Sequence, residues 1–201
     1  VSRTPDPEIR SRLLDAADRL LARHGFRRMT VEAVAAEAGI GKGSVYLHFE
    51  SKEEVALACI DRMAEAIVAR LEQLAARGGA VLPRLRAMLR ARVLGRFDYA
   101  RLHARSIDEK LAVMRQGLLD RRRRQFAREA GIFSAVIAAA VRSGRLRVVA
   151  PQRAGRALVE ATNALLPYSL SVRELGRRAL LSKRLDEVIE LLLAGLARGG
   201  A

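Results

Sequence analysis

Between residues 30 and 52 the chain concentrates side chains that can touch a polyanion. Lys42 can reach a phosphate or a guanine edge. Gly43 removes a side chain where a backbone must come close, and Ser44 can donate to a base or a phosphate. Tyr46 and His48 can hydrogen-bond to phosphates while stacking on sugars. Thr30 and Lys52 stand where two flanking helices are expected to begin, and helix N-termini favour anions. This set suits the groove and backbone of duplex DNA.

Such residues act only if the elements beneath them hold still. The spacing predicts a first helix from Asp6-Pro7-Glu8, with a capping carboxylate and proline at the first helical position, to His24-Gly25. Phe26 is expected to pack back on the core. Thr30 caps a short helix ending at Ala38-Gly39, where glycine frees the turn and small alanines (33, 35, 36 and 38) let two helices cross. A second short helix is expected from Lys42 to Phe49, anchored by Val45 and Phe49 with Val34 and Ile40. Its free face carries Lys42, Gly43, Ser44, Tyr46, Leu47 and His48. Ser51 to Glu54 reads as a capping box opening a long helix whose apolar stripe is Ile60, Met63, Ile67, Leu71 and Leu74. Three short helices with a tight glycine turn make a helix-turn-helix.

The run from Thr30 to Val55, preceded by Gly25-Phe26, resembles the signature of the TetR family of bacterial repressors. Tyr46-x-His48-Phe49-x-Ser51-Lys52-Glu53 is its most specific part. The resemblance implies operator contacts at Thr30, Lys42, Gly43, Ser44, Tyr46, His48 and Lys52. Gly41 stands where many members have Ser or Thr, which leaves the recognition helix weakly capped. Leu47, often aromatic or polar in the family, could read a thymine methyl.

Beyond Glu53 helical periodicity continues, and no segment alternates at period two. Helices are expected with a stripe Leu85, Met88, Leu89, Val93 and Phe97, then over Ala100 to Met114, Leu118 to Arg142, Pro151 to Ser169 and Arg184 to Ala197. The fold class expected is all-α: a helix-turn-helix DNA-binding domain over residues 1–52 and a helical ligand-binding and dimerisation domain over 53–201. The resemblance implies an effector pocket in the bundle and a homodimer through the last two long helices. Both of those helices carry wide apolar faces, Leu158, Val159, Ala161, Thr162, Leu165 and Leu166 on one and Leu185 to Leu196 on the other. Pocket candidates are Met63, Ile67, Leu89, Phe97, Leu102, Phe126, Phe133 and Asn163, a lining suited to a small hydrophobic or amphipathic effector. Core packing is the plainer role for each of them.

Other chemistry finds little support. Gly39 to Ser44 looks glycine-rich, but Lys42 is followed by Gly43 where a phosphate loop needs Ser or Thr. His24, His48 and His103 lack metal-binding spacing, and Cys59 stands alone. Neither an enzyme nor a cofactor or metal site is expected. No apolar run reaches a membrane span, so no membrane partner and a cytoplasmic location are expected. The reading is a ligand-responsive regulator, most simply a repressor that binds a palindromic double-stranded DNA operator as a dimer. The rival is a helical small-molecule-binding or adaptor protein with a vestigial DNA-binding unit.

Charge sharpens this. The 201-residue chain carries a formal net charge of +15. Residues 1–52 hold 9 basic and 7 acidic side chains, whereas residues 84–128 hold 14 and 4. DNA binding therefore rests on placed residues, not on bulk charge. Arg121 to Arg124 encircle one helical turn, either as a solvated face or as a dock for an anionic head group.

Overall fold

The computed structural model describes residues 6–166 and 176–198, with the side chains of 104–116 outside the description. Among the described residues there are eight helices and no strand. They are α1 (Pro7–His24), α2 (Val31–Ala38), α3 (Lys42–Tyr46), α4 (Lys52–Ala75), α5 (Val81–Leu102), α6 (Ala104–Arg142), α7 (Pro151–Asn163) and α8 (Arg178–Arg198). The chain divides into two compact units. One comprises Val1–Met63 and Ala100–Asp120, the other Ala64–Tyr99 and Arg121–Ala201.

Within the first unit, the termini form as their residues require. The Asp6 carboxylate accepts from the Glu8 N–H at 2.8 Å, and Gly25 closes α1 at φ 81°. At the head of α4, Ser51 Oγ accepts from the Glu54 N–H at 3.1 Å. The Glu54 carboxylate accepts in return from the Glu50 N–H at 2.6 Å, one residue earlier than an ideal capping box. Leu13, Leu14, Ala17 and Leu21 of α1 pack with Phe26, Met29, Val34, Val45 and Phe49, and with Val55, Ala56 and the buried Cys59 of α4. Each buried large apolar side chain contributes roughly 1.5–3 kcal/mol. Arg62 ties α4 to α1 through Asp15 at 2.6 Å and through Asp18, and His103 reaches Asp18 at 3.3 Å. Burial pushes the Asp18 carboxyl up, but hydrogen bonds and charge from His103 and Arg62 outweigh it and hold its pKa below the ordinary value.

In the second unit the expected stripe of α5 is buried throughout, from Leu85 through Met88, Leu89 and Val93 to Phe97. It is joined by Leu71 of α4, Phe133 and Ile137 of α6, Leu158 and Val159 of α7, and Leu185 and Ile189 of α8. Four helix boundaries differ from the sequence reading. The recognition helix stops at Tyr46 instead of Phe49, because Val45 accepts from both His48 and Phe49 and the chain turns there. Two helices expected to meet near residue 116 are one 39-residue helix, α6. Gly117 lies inside it, at a cost of only about 1 kcal/mol. The break falls instead at His103. Helix α7 ends at Asn163, six residues before Ser169, which itself lies outside the described residues; α8 begins at Arg178, six before Arg184.

Helices α6 and α7 approach closely at Gly155. A Cβ there would lie 2.2 Å from Ser134 Oγ, 2.7 Å from Ser134 N and 2.8 Å from Ala130 O. Two of these are backbone atoms that no rotamer change can remove. Gly155→Ala is expected to lower unfolding free energy by about 1–3 kcal/mol. Chemical denaturation would show it, and adding Ser134→Ala should not restore stability, because the backbone obstruction stays.

Candidate nucleic-acid interface and bundle cavity

The candidate interface is built on the turn between α2 and α3. Thr30 caps α2, its Oγ1 accepting from the Ala33 N–H at 3.1 Å. At the other end Gly39 adopts φ 64°, ψ 40°, the left-handed region. Its N–H donates to Ala36 O at 3.1 Å and that of Ile40 to Ala35 O at 2.9 Å, which completes a Schellman motif. Arg12 of α1 donates to Ala38 O at 2.9 Å. The direction in which the chain enters α3 is therefore set by four residues and one guanidinium.

Helix α3 has no side-chain cap at Gly41, as its sequence foretells. Val45 and Phe49 fix it from beneath, both fully buried, while Ile40 is half-buried and Ala36 is exposed instead of lying in the crossing. The outward face carries Lys42, Gly43, Tyr46 and Leu47, all exposed; Ser44 and His48 are half-buried. Tyr46 and Leu47 leave 49% and 50% of their surface in solvent. A Cβ added at Gly43 would meet nothing within 4 Å, so its absence leaves open room on the outside of α3.

The cations are not idle. Lys42 Nζ lies 2.5 Å from Glu32 and 6.0 Å over the Tyr46 ring. The hydrogen bond that Lys42 donates to the Glu32 carboxylate, and that carboxylate's charge, raise the lysine pKa, so the side chain stays cationic. Both partners are exposed, and solvent screening lets the ammonium exchange Glu32 for another anion such as a phosphate. Lys52 is half-buried, its Nζ 3.5 Å from Arg27 O and 4.7 Å over Phe26, so it braces the segment before Thr30. His48 Nδ1 is buried with no hydrogen-bond partner, which leaves the other ring nitrogen as the one able to reach outward. Arg10 and Arg12 escaped the sequence reading. Arg10 stacks on Phe49 at 5.2 Å and Arg12 bonds the α2 terminus. Their spacing on the polar face of α1 gave no sign of either.

A family model described as "Bacterial regulatory proteins, tetR family" matches residues 13–59, the stretch that contains this turn and the recognition helix. Residues 13–59 thus form a tetR-family regulatory domain. A solved TetR/AcrR-family transcriptional regulator from Thermobifida fusca superposes with this chain at a TM-score of 0.66 and 25% identity, covering 95% of this chain and 100% of that one. The SmeT–triclosan complex shares the fold at a TM-score of 0.69 and 23% identity, covering 96% and 93% of the two chains. The repressor KstR2 of Rhodococcus jostii is 50% identical over 46 residues, 23% of this chain and 22% of its own length. Sequence similarity to the curated relatives thus spans well under two thirds of their lengths.

In the second unit, the pocket candidates separate. Phe126 and Asn163 line a cavity of about 750 Å³ between α6 and α7. Ile67, Leu89, Phe97 and Phe133 are buried. In the first unit Met63 is half-buried and Leu102 is 62% exposed. Beside Phe126 lies a charged cluster that the sequence reading missed. Arg92, 1% exposed, donates to the buried Glu129 at 2.8 Å, to Thr162 Oγ1 at 2.6 Å and to Asn163 Oδ1 at 2.7 Å. Arg96 also pairs with Glu129. The guanidinium groups of Arg92, Arg96 and Arg122 lie 5.4, 5.1 and 4.9 Å from the Phe126 ring centre. Burial, opposed by Glu129 and aided by Arg96 and Arg122, lowers the Arg92 pKa to about 10, so it remains cationic at neutral pH. No group of three metal-binding side chains exists among the described residues, and no described helix is long and apolar enough to cross a membrane.

The left-handed turn yields a direct test. Gly39→Ala leaves its Cβ 3.7 Å from Arg12, so the cost is conformational and not steric. Stability should fall by about 1–2 kcal/mol on denaturation, with Gly39→Asn falling less.

Proposed function

We propose that this chain is a ligand-responsive transcriptional regulator, most simply a repressor, that binds a palindromic operator as a homodimer. In this reading residues 1–52 bind DNA, and residues 53–201 bind ligand and form the dimer. Thr30, Lys42, Gly43, Ser44, Tyr46, His48 and Lys52 contact the operator. The carrying observation is the exposed face of α3, with Lys42, Tyr46 and Leu47 presented on a helix held from below by Val45 and Phe49. Two copies are needed because one helix of this size reads too few base pairs to bind tightly, and paired half-sites multiply the affinity. Helix α8 supports a dimer by exposing Leu180 (56%) and Leu191 (77%), three turns apart on one face. A solved TetR-fold protein is named as a complex with triclosan, an apolar small molecule, which is in keeping with a hydrophobic or amphipathic effector here. Effector binding would shift α4, unbroken from Lys52 to Ala75, and lower operator affinity.

Selection of bound fragments from genomic DNA would supply the operator. Lys42→Ala should weaken binding to it by roughly 10-fold and reduce the salt slope by about one. Tyr46→Ala should weaken it comparably. Gly43→Val should keep the fold by circular dichroism and yet lose operator binding, because the obstruction is external. Function left intact in the Lys42→Ala, Tyr46→Ala double variant would support instead an adaptor with a vestigial DNA-binding unit.

Oligomeric state gives an independent check. Leu191→Arg places a charge at the more exposed of the two outward leucines of α8. Sedimentation should shift from dimer toward monomer, with helicity retained and operator affinity reduced.

A further inference from the structure

Glu32 sets an acid among side chains expected to touch a polyanion. It is the second residue of α2 and is exposed. Its carboxylate takes the Lys42 ammonium at 2.5 Å and also accepts from the Thr30 hydroxyl. Thr30 and Lys42 both belong to the set proposed above to contact the operator. The hydrogen bond from Lys42, with smaller help from the Glu32 N–H, the lysine's charge and Thr30, holds the Glu32 pKa below the ordinary value. The acid is therefore ionised at neutral pH. An acid in the first turn of a helix favours that helix. That role needs no contact with α3, whereas this carboxylate reaches across the turn to the first residue of α3.

On DNA this pair has two outcomes. A carboxylate and a phosphate are both acceptors, and their charges repel. If Lys42 exchanges Glu32 for a phosphate, Glu32 must find another donor. In the major groove the base edges that donate are the amino groups of cytosine and adenine, and a carboxylate pairs with cytosine N4. The Lys42–Glu32 pair is exposed on both sides and therefore weak. The exchange is nearly balanced, and the base that Glu32 meets tips it.

We propose that Glu32 is a specificity-determining residue that gates Lys42. Where the site offers Glu32 a cytosine amino group, Lys42 is released to the DNA backbone. Where it does not, the pair stays closed and Lys42 adds nothing to binding. This deepens the operator reading above and rests on it. The gate lets one cation add to operator affinity without adding to affinity for DNA at large.

The test uses the full chain with the fragment selected from genomic DNA and a scrambled duplex of equal length, in anisotropy titrations over a range of salt. Glu32→Gln should bind the scrambled duplex about 5–10-fold more tightly, with a salt slope steeper by about one, because Lys42 now meets a phosphate. Affinity for the selected fragment should move less than about threefold, so the ratio of the two falls. In a Lys42→Ala background the same substitution should leave the slope on scrambled DNA unchanged. Glu72→Gln, at an exposed acid late in α4, removes an equal charge and should alter neither affinity by more than about twofold. When each cytosine of the selected fragment is replaced in turn, a C·G preference in each half-site should be present in the unmodified chain and absent in Glu32→Ala. Denaturation of each variant checks that the fold is intact. Unchanged binding of scrambled DNA by Glu32→Gln, an equal gain on both duplexes, or a steeper slope that persists without Lys42 would overturn the proposal. So would base preferences that Glu32→Ala leaves intact. An unmodified chain that does not prefer the selected fragment to the scrambled one would refute the operator reading itself, whereas a preference that survives Glu32→Gln in full would refute only the gate.

Discussion

A helix of five residues cannot hold itself in water. Nucleation fixes several dihedrals before the first hydrogen bond repays them, and isolated helices need roughly 12–15 residues to become even marginal. Helix α3 has Lys42–Tyr46 and lacks a capping side chain. Its conformation is therefore borrowed: from Val45 and Phe49 below, from the left-handed Gly39 before it, and from Arg12, which bonds the end of α2. The first unit's core can be understood as the apparatus that lends this order. Because the anchors all lie on one side, the other side of α3 is spared any structural duty.

The two units use charge in opposite ways. Around α3 the Lys42–Glu32 pair is exposed on both sides, so water and salt keep it exchangeable. Around α5 the Arg92–Glu129 pair is sealed, with Thr162 and Asn163 taking further donors. Loss of one member there would strand a buried charge at a cost of about 3–5 kcal/mol. The net charge of +15 therefore has two physical meanings. A small part lies where a polyanion can displace its partner, and a part is built into the second unit's interior and fixes how α5, α6 and α7 pack.

Local chemistry was legible in the sequence, and packing was less so. The caps at Asp6, Thr30 and Ser51 and the turn at Gly39 form as their residue types dictate, because each acts within a few residues of itself. Which residues of α3 face outward followed from the same reasoning, since two anchors four apart define which face is left over. Tertiary context decided what was missed. Gly117 suggested a break that α6 does not make, and His103 gave no breaker signal where the chain does turn. The buried cluster was overlooked because Arg92 and Glu129 read as surface charges. A signal existed: Arg92 continues the stripe of Leu85 and Leu89, and Glu129 stands between Phe126 and Phe133 at helical spacing. A charge in register on an apolar face needs a partner, and each supplies the other's.

Gly41 and Gly43 have one further property. A Cβ at either would touch nothing within 4 Å, so the protein's own packing places no demand on them. Side-chain packing therefore imposes no selection at these positions. A single base change converts a glycine codon to that of alanine, valine, serine or aspartate, and at these two sites such a change alters the outer surface around α3 while sparing the interior. After gene duplication, two copies could diverge in the sites they recognise without passing through a poorly folded intermediate. The absence of side chains at positions 41 and 43 is thus a reserve of evolutionary freedom placed at the point where partners are chosen.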